Sequence, residues 1–502
     1  MRDLMLSESS IAVRLFLTCW IVFALHFATN TVREIYPALS LGDSFSFDVS
    51  EYEGIHPDIF TLEGRGTFIN NNPGASMMGA VPYLFSRPLT DRIVNSVQIS
   101  RRAQPETEIA GYDTIYPLSR EFYREARARG LDVKFGLAAG IMQAFLMAPL
   151  SALSAVLMFF VLYGLTGNRI ASVLLAIVFA FGTPVFFRTA QLNQNLLVAH
   201  FAFYSLVCLW RPWRKDFTPG SWSYLFAGLF AGWTVVLDYS GLVAVLALGT
   251  YAFSKWYLTD PDDRKTSQLV LLGAGVAFCA LILMGYQWYC FGNPLLPAQS
   301  YMPDANFTER GYRGFSIPSA SLFVQNLFGL RFGLFTSAPV LLLAMMYPLW
   351  LRTNSERLPR AEIVLIAGFT LLFLIFCSAN QYGWMQFNTG VRHAIPVVPF
   401  LFIPAALVLT RLPRTIAALI CVIGVYCSWC LAMYRDVEQG LGVLESVKSI
   451  TLEGFRLPWL WTLKNMGFVE STSAIPILVL AAAVIWVIWR FGPRTNIERE
   501  AA

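Results

Sequence analysis

The chain has 502 residues, 56% of them hydrophobic and 14% charged, with a formal net charge of +5. Soluble globular chains carry roughly 25% charged residues, so a water-soluble domain is excluded, and 40 Phe, 20 Tyr and 14 Trp fit aromatic belts at two bilayer surfaces. The small cationic excess sits in short loops between apolar runs and makes no case for a nucleic-acid partner.

Crossing a bilayer takes about 20 apolar residues, with a range of roughly 17–25. In chain order such runs fall near 11–29, 135–165, 170–187, 195–210, 222–237, 240–256, 267–290, 333–351, 361–379, 393–410, 415–433 and 473–490. The expected fold class is an all-α polytopic membrane protein with about twelve transmembrane helices. Arg14 lies inside the first run and no A-x-A site follows, so that run reads as a retained helix and not a cleaved signal peptide. The long second run leaves room for a re-entrant or interfacial piece.

The short loops "RPWRKD", "SKWYLTDPDDRKTS", "RTNSERLPRAE" and "TRLPRT", and the tail "RFGPRTNIERE", each carry two or three Lys or Arg. The positive-inside bias places them in the cytoplasm together with both termini. The long loops 30–134, 291–332, 380–392 and 434–472 then lie outside. Residues 1–490 form a single domain by this reading and 491–502 a cytoplasmic tail. With no eukaryotic cue, a bacterial inner membrane is expected. In the first outer loop, residues 113–134 put Arg120, Arg124 and Arg127 near one face of a short helix, with Phe122 and Tyr123 free to touch lipid, the pattern of a helix lying flat on the membrane. The eight cysteines (Cys19, Cys208, Cys279, Cys290, Cys377, Cys421, Cys427, Cys430) lie in or beside apolar runs. They read as small buried hydrophobes, not as a disulfide framework or a zinc site.

Polar residues gather where these runs end on the outer side. "TNTVREIYPALSLGD" sets Arg33 and Glu34 just past the first run, with Asp43 and Asp48 following. A shielded carboxylate there can act as a general base; the plain alternative is an exposed pair marking a helix end. "FINNNPGASMM" gives Asn70, Asn71 and Asn72, donors and acceptors suited to sugar hydroxyls, or simply an Asn-rich turn. "WTVVLDYSG" places Asp238 and Tyr239 between two apolar runs. An acid at that boundary must be offset by partners or water, although Asp-Tyr-Ser-Gly is also good turn chemistry. Arg313, Arg331 and Arg392 stand in outer loops, the last two directly before spans, and arginine binds phosphate bidentately. "RTAQLNQNLLVAH" adds Arg188, Asn193, Gln194, Asn195 and His200. No P-loop, Rossmann, HExxH or GxSxG pattern is present.

Taken in order, "VREIYPALSL", "INNNPGASMM", "FGTPVFFRTAQLNQNLLVAH", "GWTVVLDYSG", "FGNPLLPAQSY", "GLRFGLFTSAPVLLL" and "YGWMQFNTGVRHAIPVVPF" resemble the C-superfamily (GT-C) glycosyltransferases that use polyprenyl-phosphate sugars. Relatives of that kind are the protein O-mannosyltransferases and the lipid A aminoarabinose transferases. The resemblance covers most of the chain. It implies a GT-C-like fold whose large first outer loop bears interfacial helices. It also implies inverting transfer of a sugar from a polyprenyl-phosphate donor to a hydroxyl of a lipid, glycan or protein acceptor, at the outer face among membrane lipids. That family carries an Asp-Glu motif soon after its first helix; here the matching place reads Arg33-Glu34, so the base falls to Glu34, or to Asp43 or Asp48. Arg331 and Arg392, with Arg313, would hold the donor phosphate. Asn70, Asn71, Asn72, Asp238, Tyr239, Asn195 and His393 would line the sugar and acceptor site. No cofactor is required; a divalent metal is compatible with the acidic loop, but no ligand spacing demands one. The rival expectations are a twelve-helix transporter or lipid flippase, and a non-catalytic assembly protein with the same fold.

Overall fold

The computed structural model describes residues 7–29, 31–103, 117–303, 311–351, 358–384, 386, 390–434 and 442–491; the expected tail from 492 onward lies outside them. Six helices are long and apolar enough to cross a bilayer: Glu8–Leu25, Asp132–Thr166, Gly241–Leu258, Thr266–Phe291, Arg360–Ala379 and Arg414–Met433. Shorter apolar helices run over Arg169–Phe181, Gln194–Leu209, Ser221–Leu237, Pro339–Leu349, Ile395–Leu409 and Ile475–Phe491. The protein is an all-α membrane protein whose described residues hold one two-stranded antiparallel ribbon.

Burial sorts these helices into an inner and an outer set. Every residue of Val398–Leu409 is buried, as is nearly all of Gln194–Leu209, so both run through the centre. A helix that is apolar on all sides belongs in such a core or against lipid. Ile475–Phe491 has no buried residue and is tied to the first helix where Arg14 Nη1 donates to the Trp489 carbonyl and Trp489 Nε1 donates to Thr18 Oγ1, both at 2.9 Å. Three expected spans are broken, each at proline, and the one over 170–187 ends its helix at Phe181 and restarts at Pro184. The run 333–351 is a short helix, a 3-10 stretch Pro339–Met346 and a last turn Tyr347–Leu351. The long second helix widens to a π turn over Gln143–Met147 just before Pro149; proline has no N–H to donate and its ring crowds the preceding turn.

Small residues set the tightest crossing. Helices Ser221–Leu237 and Thr266–Phe291 meet at Gly228, Gly232 and Gly275, where an added Cβ would run into the backbone at Leu272, Val276 and Leu229 respectively. Close backbone approach of this kind is how helices associate in lipid. Gly228→Val is expected to force the pair apart and cost about 1–3 kcal/mol, the range for overpacking a filled interface. A melting temperature unchanged from wild type in detergent would show that the crossing is looser than described.

The long loop after the first helix is built onto the apolar helices. The ribbon pairs Ile59 with Ile69 and Phe60 with Phe68. Its Phe60 and Phe68 pack on Phe291, ring centroids 6.3 and 5.4 Å apart, at the end of Thr266–Phe291. From there the 30-residue helix Gly74–Ala103 starts against the end of Ser221–Leu237, because Gly74 has no Cβ to strike the Val236 carbonyl. On the short helix Pro117–Ala128 the half-buried Phe122 stacks on Phe135 at 6.0 Å. Arg127 of this helix joins Arg101 in holding Asp132 at the head of the long helix Asp132–Thr166.

Candidate functional site

Glu34 stands at the N-cap of the helix Ile35–Ser44 and is 3% exposed. Its backbone carbonyl accepts a 2.8 Å hydrogen bond from Ser76 Oγ, which ties the turn to the start of Gly74–Ala103. Arg33 lies over it. The guanidinium reaches Glu34 Oε1 at 3.3 Å, Asp58 Oδ2 at 3.1 Å and Asn70 Oδ1 at 3.1 Å. One arginine therefore bridges two carboxylates and the asparagine strip. No hydrogen bond to Glu34 Oε2 occurs among the described residues, so that oxygen keeps its lone pairs.

Charge couples this group to the loop before Ile395–Leu409. Burial works against the Arg33 cation, but Glu34 and then Asp58 outweigh it and raise its pKa, with Asp238 adding. Burial pushes the Asp58 carboxyl up, yet Arg33, His56 and Arg392 more than reverse this and hold it below its usual 3.8. Burial lowers Arg392, Arg33 adds to it, and Glu34, Asp58 and Asp238 oppose; an arginine so placed stays charged. His56 is lowered by burial, with Arg33 helping and Asp58 resisting. His393 is lowered well below 6.5, first by burial and then by Arg392, Arg33 and Arg188. Arg33, Glu34, Asp58, Asp238 and Arg392 thus form one electrostatic cluster, drawn from four separate stretches of chain.

Arg392 differs from Arg33 in being unspent. Its backbone N–H donates to Gln386 Oε1 at 3.0 Å, but its side chain makes no hydrogen bond or ion pair among the described residues. Arg331 is joined to the same loop, its carbonyl accepting from Gly390 N at 3.1 Å, and its Nε is buried without a partner. The loop itself is fixed from below: the fully buried Arg188 donates to the Gly390 and Val391 carbonyls at 2.8 and 2.9 Å, and Ser337 Oγ accepts from Val391 N at 3.0 Å.

The remaining predicted residues divide. Asn70 touches Arg33 and receives Gln299 Nε2 on its carbonyl at 2.7 Å. Asn72 Nδ2 donates to the Val235 carbonyl at 2.8 Å, which fastens the strip to the helix that ends at Asp238. Asn71, between them, is buried. Asp238 accepts from Gln194 Nε2 at 2.7 Å and from Ser240 N at 2.8 Å. Tyr239 is engaged by Gln287. Asn195 is 4% exposed and follows Gln194 in the first turn of its helix, which Asn193 caps at 2.9 Å.

Two of the three acids expected as base candidates lie apart from this cluster. Asp43 sits at the far end of its helix, nine residues on or roughly 14 Å from Glu34. There it pairs with Lys134 at 2.9 Å and Arg87 at 3.3 Å and accepts from Tyr83 at 3.0 Å. Asp48 closes a local turn onto Ser50 N at 2.8 Å. Both are occupied in holding the loop after the first helix together. Arg313 is also committed: in a left-handed conformation at φ 51°, it donates to the Ser300 and Met302 carbonyls at 3.0 and 3.3 Å and clasps the segment that covers Asn70. Asp58 and His56 enter in place of the two acids. Asp58 is one of the loop acids that follow Arg33 and Glu34 in the sequence, whereas nothing in local spacing marks His56; the ribbon Ile59–Ile69 brings Asp58 back to Arg33.

Among the described residues no three His, Cys, Asp or Glu side chains group as a metal-ligand set. Of the acids in the cluster, Glu34 and Asp58 share Arg33, while Asp238 is held by Gln194 and Ser240. No protein-family model, curated protein or solved structure matches this chain.

Proposed function

We propose that the protein is a membrane glycosyltransferase that moves a sugar from a polyprenyl monophosphate to an acceptor hydroxyl at the outer face of a bacterial inner membrane, with inversion. In this reading the shorter apolar helices cross as well, giving about twelve spans with both termini inside. The observation that carries it is the pairing of a buried carboxylate with a free oxygen, Glu34, and two arginines without acidic partners, Arg331 and Arg392, around one loop. Half-buried cations without an acidic partner favour an anion, and a lipid phosphate at the membrane surface supplies one.

The chemistry follows. The acceptor hydroxyl attacks the anomeric carbon from the face opposite the phosphate. Its proton passes to Glu34 Oε2 as the new C–O bond forms. The old C–O bond breaks with its electron pair going to the phosphate, and Arg331 and Arg392 stabilise the charge that gathers there. The phosphate is a good leaving group, so one carboxylate is sufficient. Arg33 holds Glu34 in place and is not itself a phosphate ligand.

The test is transfer of radiolabel from a panel of polyprenyl-phosphate sugars by the purified chain in detergent, with membrane extract as acceptor. Wild type moves label from at least one donor. Arg392→Ala weakens donor affinity about 10- to 100-fold, the worth of a charge-assisted hydrogen bond. Folded wild-type protein that moves label from no donor sinks the reading, and undiminished donor affinity in Arg392→Ala leaves that arginine an interfacial anchor.

A further inference from the structure

Two buried amide oxygens beside the cluster have no hydrogen-bond partner, and their orientation is not adjustable. Gln194 is 5% exposed. Its Nε2 donates to Asp238 Oδ2 at 2.7 Å, while Asp238 Oδ1 accepts from Ser240 N. A carboxylate only accepts, so the amide cannot turn over without placing oxygen against oxygen. Gln194 Oε1 therefore faces away from Asp238, buried and without a donor among the described residues. Asn71 repeats the arrangement: 2% exposed, its Nδ2 donates to the Asn72 carbonyl at 3.2 Å and its Oδ1 is left over. The bond from Asn72 Nδ2 to the Val235 carbonyl sets that asparagine strip on the same corner, three residues before Asp238.

Orphaned acceptors are costly and native structures rarely keep them without a reason. Acceptors also repel phosphate. What satisfies them is a ligand rich in O–H donors, and hydroxyls of a sugar answer that description.

We propose that Gln194 is a sugar-reading residue, its Oε1 and Asn71 Oδ1 accepting hydrogen bonds from hydroxyls of the lipid-linked sugar, and that Asp238 is the positioning residue that locks the Gln194 amide in that sense. The proposal rests on the transferase reading and adds the donor's direction: sugar toward the Asp238 corner, phosphate toward Arg331 and Arg392. A site that accepts from a hydroxyl loses affinity when the hydroxyl is absent, because the acceptor is then left unpaired.

The experiment measures binding and does not need turnover. Full-length protein in detergent is titrated with polyprenyl phosphate alone and with polyprenyl-phosphate mannose, glucose and arabinose, and the melting temperature is followed. Wild type is expected to bind at least one sugar-bearing lipid about tenfold more tightly than the bare lipid phosphate. Gln194→Met, similar in volume and without an acceptor oxygen, keeps the affinity for bare lipid phosphate and loses the sugar increment. Asp238→Asn combined with Gln194→Glu reverses the pair, the amide at 238 donating to the carboxylate at 194, and restores the increment that Gln194→Glu alone lacks. Equal affinity of wild type for sugar-bearing and bare lipid overturns the proposal while leaving the phosphate site standing; the orphaned oxygens then hold water. A Gln194→Met variant that loses both affinities in parallel overturns it too, since the role is then only structural. No binding of any lipid by folded wild type removes the transferase reading itself.

Discussion

Glu34→Gln is expected to lower transfer by a factor of roughly 10² to 10⁴, the contribution typical of a positioned general base. The replacement keeps the shape of the side chain, and its amide oxygen still accepts from Arg33 Nε, so the turn at the head of Ile35–Ser44 stays in place. What it loses is the lone pair that takes the acceptor proton. Donor affinity should stay within about twofold of wild type, because Arg331 and Arg392 are untouched and bind phosphate by charge. Single-turnover transfer with a saturating donor separates the two effects, since it reads chemistry without binding. Asp58→Asn is the control. Asp58 shares Arg33 with Glu34 at nearly the same distance, 3.1 against 3.3 Å, but its side chain is 27% exposed where that of Glu34 is 4%. Loss of transfer in Asp58→Asn with full activity in Glu34→Gln would move the proton transfer to Asp58.

Much of the helical frame is legible in the sequence because it depends on local composition: a run of apolar residues near the length of a bilayer has few other ways to fold. Its failures are local too. The span over 333–351 breaks at Pro339, and the second span widens before Pro149, both places where a missing N–H interrupts the helical ladder. The site is less legible. Glu34 and Asp238 stand where helices end, and an acid at such a boundary invites attention. Asp43 and Asp48 have the same chemistry and nearly the same address as Glu34 in the chain. Only packing separates them, since Lys134 and Arg87 arrive at Asp43 from residues 91 and 44 further on. Asp58 is the converse. Its contact with Arg33 spans 25 residues and depends on how the ribbon lies on Phe291, which no local pattern encodes. Arg33 itself looked like a departure from an acidic pair, and its role follows only once both carboxylates are seen to need it.

Arg33→Met is expected to cost about 3–5 kcal/mol of stability, the penalty for breaking a buried ion pair by removing one partner. The arginine is 23% exposed on its side chain, shielded enough that solvent does not screen the bridge away. Methionine fills the volume of the stem but leaves Glu34 and Asp58 facing each other without the cation between them. The loss should depend on pH in a defined sense. Asp58 is held below its usual 3.8 by Arg33 against the effect of burial. A carboxyl with a depressed folded-state pKa adds stability above its unfolded pKa and surrenders it as pH falls through the depressed value. Wild type therefore loses this increment on acidification below about pH 4, whereas the variant has little of it to lose. Melting curves at pH 7 should show a wide gap between the two proteins, and the gap should narrow as pH falls below about 4. A gap that stays constant over that range would mean that Arg33 contributes packing and not charge. The bridge would then be a by-product of the turn, and the restraint on Glu34 would have to come from Ser76 and the helix behind it.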